Sequence, residues 1–160
     1  MLKVNQTAPD FTLPRFDGDD SAFYQDAGGG IAVLVFYKFS CPTCQYTMPF
    51  IQKIYDAYGD AFYFVAIAQD DAEKTAEFRK DYAISMPTLL DIPPYPASNK
   101  YKIDTVPSTF LVEPDRKIRY CGDGFVKQEL LNLADVLAEK SGRPQIEVFE
   151  GLHVPDFKAG

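Results

Sequence analysis

The sequence predicts an α/β protein in which a central mixed β-sheet is flanked by helices. Two apolar runs are dense enough to be buried strands, several segments repeat apolar residues with the period of a helix, and a later pair of short runs suits a hairpin. A length of 160 residues corresponds to one domain with a sizeable core. We therefore expect a single domain over residues 1–160, in which residues 141–160 form a C-terminal tail.

The first half of the chain contains the most regular predicted elements. Residues 31–37, IAVLVFY, are continuously apolar, which is typical of a strand buried on both faces. Apolar residues then recur at helical spacing, which predicts a helix over 42–58 that contains Pro49 and ends at Gly59. Residues 1–30 are expected to form an irregular N-terminal extension, because Pro and Gly interrupt them repeatedly.

The second half continues the alternation of strand and helix. Residues 61–68 predict a second buried strand, and Asp70 with Glu73 suits a capping box for the helix that follows. In the tail, Ile146 and Val148 alternate with polar neighbours, which is compatible with a short extra strand. The other predicted elements are a helix at 71–83, a strand at 86–91, a short helix at 97–103, a hairpin of strands at 109–113 and 117–121, and a helix at 127–140.

The charge and the apolar pattern exclude several classes of function. The net charge is -7 and no basic cluster is present, so we expect no nucleic-acid partner. The longest apolar stretch, residues 31–37, is too short to span a bilayer, and the first residues lack the apolar core of a signal peptide. These features favour a cytoplasmic protein, and a periplasmic one stays open if a leader before position 1 was removed.

Two cysteines, Cys41 and Cys44, follow the first predicted strand directly, where open α/β sheets place their active sites. Pro42 suits the first position of the next helix, so Cys41 becomes the residue that caps the helix N-terminus. Unpaired N–H groups and the helix dipole stabilise a thiolate at that position. Cys44 lies one turn further along the same face, close enough for a disulfide. The pattern predicts thiol–disulfide exchange, in which Cys41 attacks a target disulfide and Cys44 resolves the mixed disulfide.

Two other interpretations of the cysteine pair are open. Cys41 and Cys44 could be structural thiols, or they could form half of a zinc site, which requires four ligands. Only Cys121 and His153 could complete such a set, and they stand apart in a predicted strand and in the tail. We therefore expect no metal and no cofactor. Cys121 is expected to be a half-buried core thiol, with a resolving role left open, and His153 is expected to have no catalytic part.

Several segments in order carry a family resemblance, and they are APDFTLPRFDG (8–18), VLVFYKFSCPTC (33–44), Pro49 in the helix, MPTLLD (86–91) and TVPSTFLVEPDRKI (105–118). Over about residues 4–140 the chain resembles the thioredoxin-fold proteins of the TlpA/ResA-like and AhpC/TSA redoxin group. The resemblance implies a thioredoxin-like fold with Cys41 as nucleophile and Cys44 as resolving cysteine. It also implies that Pro107 is a cis-proline that faces the cysteine pair.

The same resemblance implies a substrate-binding surface around the cysteines. Val106 would offer backbone groups to an extended substrate segment, which would pair strand to strand. Pro42 and Thr43, between the cysteines, are expected to influence the redox potential and to border the substrate. The expected partners are a disulfide-containing protein substrate and an upstream thiol reductant, and the expected state is a monomer or weak dimer.

The chain departs from the family pattern at three positions. Ser40 stands where these reductases usually have Trp, and Thr47 stands where many relatives have Glu. Val35 stands where ordinary thioredoxins have a buried Asp that exchanges the proton of the resolving cysteine. These departures suggest a slower or differently assisted resolving step, and Lys38 is near enough in sequence to assist it.

A peroxidase that uses Cys41 is the second enzyme hypothesis. Peroxiredoxins carry a Thr or Ser three residues before the peroxidatic cysteine, and a Pro seven residues before it, to bind the peroxide. Counted from Cys41, these positions hold Lys38 and Leu34, so the pattern is not met. A non-catalytic redox sensor or adaptor, in which the disulfide changes a partner contact, is the third hypothesis.

Overall fold

Nine β-strands and five α-helices follow one another along residues 1–160, all of which the computed structural model describes. The strands are β1 (Thr12–Pro14), β2 (Asp20–Ala22), β3 (Ala32–Tyr37), β4 (Tyr63–Ala68), β5 (Thr88–Leu90), β6 (Ser108–Val112), β7 (Ile118–Asp123), β8 (Phe125–Val126) and β9 (Phe157–Lys158). The helices are α1 (Phe23–Ala27), α2 (Pro42–Tyr58), α3 (Ala72–Asp81), α4 (Pro96–Lys100) and α5 (Lys127–Ser141). None of these helices combines the length and the apolar character that crossing a membrane requires.

The central sheet has five strands in the order β5-β4-β3-β6-β7. Strand β3 pairs in parallel with β4 and antiparallel with β6, so the sheet is mixed, as predicted. All six residues of β3 are buried, which confirms that its continuous apolar run covers both faces. Strands β6 and β7 form the predicted antiparallel hairpin.

Two layers of side chains cover the two faces of the sheet. Successive residues of a strand point to opposite faces, so Val33 and Val35 belong to one layer, and Leu34 and Phe36 belong to the other. Apolar residues of α2 and α5 complete the first layer, which contains Cys44. Residues of the N-terminal extension and of the region around α4 complete the second layer.

The N-terminal extension is more regular than its sequence predicts. Instead of an irregular segment, it contains the β1–β2 hairpin and the short helix α1. Phe11, Leu13 and Phe23 are each at most 3% exposed in the second core layer. Burial of these side chains against the sheet outweighs the local effect of the Pro and Gly residues, which is why local composition gave the wrong expectation.

Helix α3 begins one residue later than predicted, and a different carboxylate caps it. Its cap is Asp71, whose Oδ1 accepts a hydrogen bond from the backbone N–H of Lys74 at 3.0 Å. Asp70 points instead to the cysteine side of the sheet, where its Oδ2 accepts from the backbone N–H of Phe39 at 2.6 Å. The expected Asp70–Glu73 capping box is therefore wrong.

The tail contains an extra strand, but not where the alternation suggested. Residues 143–147 are not in a strand, and Val148 is buried in the first core layer. The extra strand is β9, near the end of the chain, which pairs antiparallel with β8. The alternation of apolar and polar residues in this tail arises because single apolar side chains pack on the core, and not because the segment pairs as a strand.

Candidate active site

The predicted placement of Cys41 at the start of α2 is confirmed. Cys41 is the residue that caps the helix N-terminus, with an extended backbone (φ -90°, ψ 112°), and Pro42 occupies the first helical turn. The Cys41 Sγ accepts a hydrogen bond from the backbone N–H of Cys44 at 3.1 Å. An N–H group that the helix would otherwise leave unpaired therefore points at the sulfur, as a stabilised thiolate requires.

The two cysteines differ in exposure, although both are free thiols in this structure. Cys41 is partly exposed and can be reached from solvent, whereas Cys44 is completely buried in the first core layer. An external disulfide can therefore meet Cys41 but not Cys44.

The local environment lowers the pKa of Cys41 from an ordinary value of 9.0 to about 6. The largest cause is the neighbouring Cys44 thiol, and the backbone N–H groups of Cys44 and Thr43 add to it. The positive charge of Lys38 acts in the same direction, and partial burial opposes all of them. Cys41 is therefore mostly thiolate at neutral pH.

The pKa of Cys44 is raised instead. Burial is the main cause, because the apolar core disfavours a charged sulfur, and the Cys41 sulfur and the negative charge of Asp70 add to it. Cys44 is therefore a thiol at neutral pH. The pair combines a reactive thiolate at the surface with a protonated thiol beneath it.

The loop before β6 faces the cysteine pair, as the resemblance implied. The Val106–Pro107 peptide bond is cis, and the carbonyl oxygen of Val106 lies 3.2 Å from Cys41 Sγ, where it accepts a hydrogen bond when Cys41 is protonated. Val106 and Cys41 thus meet where both are partly exposed, and Pro107 is buried beside them. A second cis bond, Pro93–Pro94, lies in the segment before α4 and was not expected from the sequence.

A buried carboxylate, Asp70, lies on the cysteine side of the sheet, although its spacing to Glu73 predicts a role in a helix cap. Asp70 is 9% exposed and follows β4, whose carboxyl end lies beside that of β3 because the two strands are parallel. Its hydrogen bond to the Phe39 N–H holds the segment just before the cysteines. Its position two residues after a predicted buried strand is the signal that could have identified it.

The positions where relatives carry acidic groups behave differently here. Val35 is buried in the sheet core, and Thr47 is 1% exposed with a hydroxyl that has no hydrogen-bond partner. Lys38 and Ser40 are both exposed, and the Lys38 charge lowers the pKa of Cys41. This acts on the outer sulfur, so assistance of the resolving step by Lys38 stays a prediction. Asp70 is thus the buried acidic group that acts on this pair.

The C-terminal tail also reaches the site, although no pattern in the sequence predicts this contact. The hydroxyl of Thr43, between the two cysteines, donates a hydrogen bond to the carbonyl oxygen of Ala159. Gly160 lies against the backbone of Val106. No sequence signal connects these positions, because their meeting depends on the path of the whole tail.

Cys121 and His153 lie apart from the pair. Cys121 is partly buried against the second core layer, whereas Cys44 belongs to the first, so the sheet separates them. This position confirms Cys121 as a half-buried core thiol and argues against a resolving role. His153 is exposed, and nowhere do three His, Cys, Asp or Glu side chains come together as metal ligands would.

Known sequences similar to this chain include a family model and named redox proteins. The model of the AhpC/TSA family matches residues 4–121. The thioredoxin-like protein YneN of Bacillus subtilis is 30% identical over 116 residues, which span 70% of this chain and 66% of YneN. The thiol-disulfide oxidoreductase ResA of Geobacillus thermodenitrificans is 25% identical over 130 residues, which span 80% of this chain and 74% of ResA.

Comparison with solved structures identifies the fold. The solution structure of a candidate protein disulfide isomerase from Bacteroides thetaiotaomicron superposes with a TM-score of 0.80 at 24% identity. The match covers 89% of this chain and 92% of that chain. The expected thioredoxin-like fold is therefore confirmed.

Proposed function

Because the chain belongs to the AhpC/TSA family, we propose that it is a thiol–disulfide oxidoreductase that reduces protein disulfides through Cys41 and Cys44. The observation that carries this proposal is the contrast between the two sulfurs. An accessible thiolate with a pKa of about 6 lies beside a buried thiol whose pKa is raised, at one helix N-terminus. Disulfide exchange needs an accessible thiolate that attacks first and a second sulfur within reach that can resolve the mixed disulfide.

In the first step, the Cys41 thiolate attacks one sulfur of the substrate disulfide. A bond forms between that sulfur and Cys41 Sγ, and the other substrate sulfur leaves as a thiolate that takes a proton from water. The Val106 carbonyl lies 3.2 Å from Cys41 Sγ, so backbone groups of this loop border the sulfur that attacks. An extended substrate segment would lie along Val106 and Pro107, with Pro42 and Thr43 on its other side.

In the second step, Cys44 resolves the mixed disulfide. Its thiol loses its proton and attacks Cys41 Sγ, which forms the Cys41–Cys44 disulfide and releases the second substrate sulfur as a thiolate. Two electrons thus pass from the pair to the substrate. The negative charge of Asp70 raises the pKa of Cys44 and so holds the proton on the sulfur, and Asp70, as a buried carboxylate on this side of the sheet, is the candidate group to accept that proton. An upstream dithiol then reduces the Cys41–Cys44 bond again.

Two single substitutions test the roles of the cysteines. Cys41→Ser should abolish the reduction of a model protein disulfide such as insulin, because no thiolate remains at the surface. Cys44→Ser should accumulate a covalent mixed disulfide between Cys41 and the substrate, because the resolving sulfur is missing. Turnover of disulfides by the Cys41→Ser protein would contradict the assignment of Cys41 as the attacking sulfur.

The residues before Cys41 also bear on the peroxidase hypothesis. The two positions where peroxiredoxins carry peroxide-binding groups hold Lys38, which is exposed, and Leu34, which is buried in the second core layer. Neither supplies a hydroxyl beside Cys41, so exchange with disulfides is favoured over reduction of peroxide. A monomer or weak dimer remains our prediction for the oligomeric state, and a cytoplasmic location remains our prediction, with a periplasmic one open if a leader was removed.

A further inference from the structure

The last residues of the chain form a short strap, residues 157–160, that crosses the protein beside the cysteines. Its first two residues are β9, in which Phe157 is opposite Val126 and Lys158 is opposite Phe125. Just before it, the carbonyl oxygen of Asp156 accepts from the backbone N–H of Lys127 at 2.9 Å. The strap is therefore added to the edge of β8 as an antiparallel strand.

The strap ends between the two segments that border the Cys41 sulfur. Ala159 accepts the hydrogen bond from the Thr43 hydroxyl, and Thr43 is itself only 9% exposed. Gly160 packs so closely on the opposite segment that an added Cβ would lie 2.7 Å from the Val106 oxygen. That oxygen is the one that accepts from the Cys41 thiol. The strap thus occupies the space between Thr43 and Val106.

Gly124 makes room for the strap. Its φ is +68°, and an added Cβ would lie 2.6 Å from the carbonyl oxygen of Lys158. The backbone N–H of the same residue donates to the Pro107 oxygen at 2.9 Å. One glycine therefore contacts both the loop that faces Cys41 and the strap.

The contacts of the strap are few compared with those of the tail before it. Val148, Phe149 and Val154 are at most 8% exposed and fix the tail to the core. Both residues of β9 are exposed, and Phe157 is 59% exposed. Opening of the strap after Val154 therefore exposes little apolar surface, and the free energy it requires is small compared with that of global unfolding.

We propose that the strap occupies the groove in which an extended segment of a polypeptide substrate binds, so that a protein disulfide reaches Cys41 only after the strap is displaced. The inference rests on the proposed function and specifies its substrate as an extended polypeptide backbone. Such a segment would accept the hydrogen bond of the Thr43 hydroxyl and pair with the edge of β8, which are the two interactions that the strap makes. A small disulfide needs neither group and reaches Cys41 past the strap.

Rates of reaction with disulfides of two sizes test this proposal. Gly160→Val should prevent the strap from seating, because its Cβ would meet the Val106 oxygen. A chain shortened by residues 157–160 removes the strap altogether. Reduced proteins would be mixed with insulin or with hydroxyethyl disulfide. At intervals the remaining thiols would be alkylated, and the mass of the protein would be measured by mass spectrometry. We expect both variants to react about five- to thirtyfold faster with insulin, and within about twofold of the unaltered chain with hydroxyethyl disulfide.

A matched control is Leu152→Ser, which changes a 61% exposed side chain of the same tail outside the strap and should leave both rates unchanged. An unchanged or lower insulin rate in Gly160→Val, with the hydroxyethyl disulfide rate preserved, would overturn the proposal. Failure of the proposed function looks different, because then the unaltered chain would react with neither disulfide.

Hydrogen exchange on the full chain gives a second test that does not depend on the strap variants folding. The mixed disulfide between insulin and the Cys44→Ser protein would be compared with the free Cys44→Ser protein. A peptic fragment that contains residues 157–160 should exchange faster in the mixed disulfide, because the substrate has displaced the strap. Equal protection in both states would contradict displacement.

Discussion

Replacing Cys44 with Ala should raise the pKa of Cys41, because the Cys44 thiol is the largest of the influences that lower it. The substitution removes the side-chain donor but keeps the backbone N–H of residue 44, which lies 3.1 Å from Cys41 Sγ. Cys44→Ser is the matched control, since a hydroxyl at the same position can still donate to the sulfur. Both changes would be made in a Cys121→Ser chain, so that Cys41 is the one thiol observed.

The size of the effect follows from the environment of the sulfur. A shift from 9.0 to about 6 corresponds to about a thousandfold change in the ratio of thiolate to thiol. Backbone N–H groups and the Lys38 charge remain after the substitution, so only part of the shift is lost. We expect the pKa to rise by about one unit or more. At pH near 6, the thiolate fraction should then fall from about one half to about one tenth or less.

The assay is the rate of alkylation by iodoacetamide as a function of pH, because only the thiolate reacts. The chain contains no Trp, so the product is followed by mass rather than by fluorescence. The rate should rise with pH through the Cys41 pKa and level off above it. The midpoint should lie near 6 both in the chain that keeps Cys44 and in the Cys44→Ser variant, and clearly higher in Cys44→Ala.

An unchanged midpoint in Cys44→Ala would refute the assigned cause of the lowered pKa. A midpoint near 9.0 in the chain that keeps Cys44 would refute the lowered pKa itself. The first result would leave the backbone N–H groups and Lys38 as the source of the activation, and the second would remove the basis for Cys41 as the attacking thiolate.

Three further predictions concern stability, measured by urea unfolding of the reduced protein. Asp70→Ala should cost about 1–3 kcal/mol because it leaves the Phe39 N–H without a partner, whereas Asp70→Asn keeps an acceptor and should cost less; equal losses would argue against the bond. Thr47→Val should cost nothing, because the buried hydroxyl has no partner, and a loss above about 1 kcal/mol would show a partner that the structure lacks. Gly124→Ala should lower the free energy of unfolding more than Gly142→Ala does. The two glycines have similar φ values, +68° and +67°, but only a Cβ at position 124 would also contact the strap. Similar losses would show that the strap moves away from the new side chain at little cost.

Much of the fold could be predicted because local patterns define it. The continuous apolar run of β3 and the helical spacing of α2 are properties of neighbouring residues, and both elements appear at the expected positions. The β1–β2 hairpin and the β8–β9 pair were missed because their pairing depends on distant parts of the chain. Strands of two or three residues carry too little pattern to be recognised alone.

Some residues of the site could likewise be predicted from local patterns, whereas others depend on the tertiary fold. Cys41 and Pro42 were placed correctly because a cysteine and a proline at a strand–helix junction have a specific local meaning. The spacing of Asp70 to Glu73 predicts a helix cap, whereas in the fold Asp70 accepts a hydrogen bond from the Phe39 N–H. The arrival of Ala159 at Thr43 joins positions 116 residues apart, which no local pattern can indicate.

The most direct test of the central claim compares the reduced protein with hydrogen peroxide and with a model disulfide in a quenched-flow experiment. Thiols are alkylated at each time point, and the mass shows how many remain. We expect rapid closure of the Cys41–Cys44 bond with the disulfide and slow reaction with peroxide. Rapid reaction with peroxide alone, or no closure of the bond with either reagent, would contradict a role in disulfide reduction.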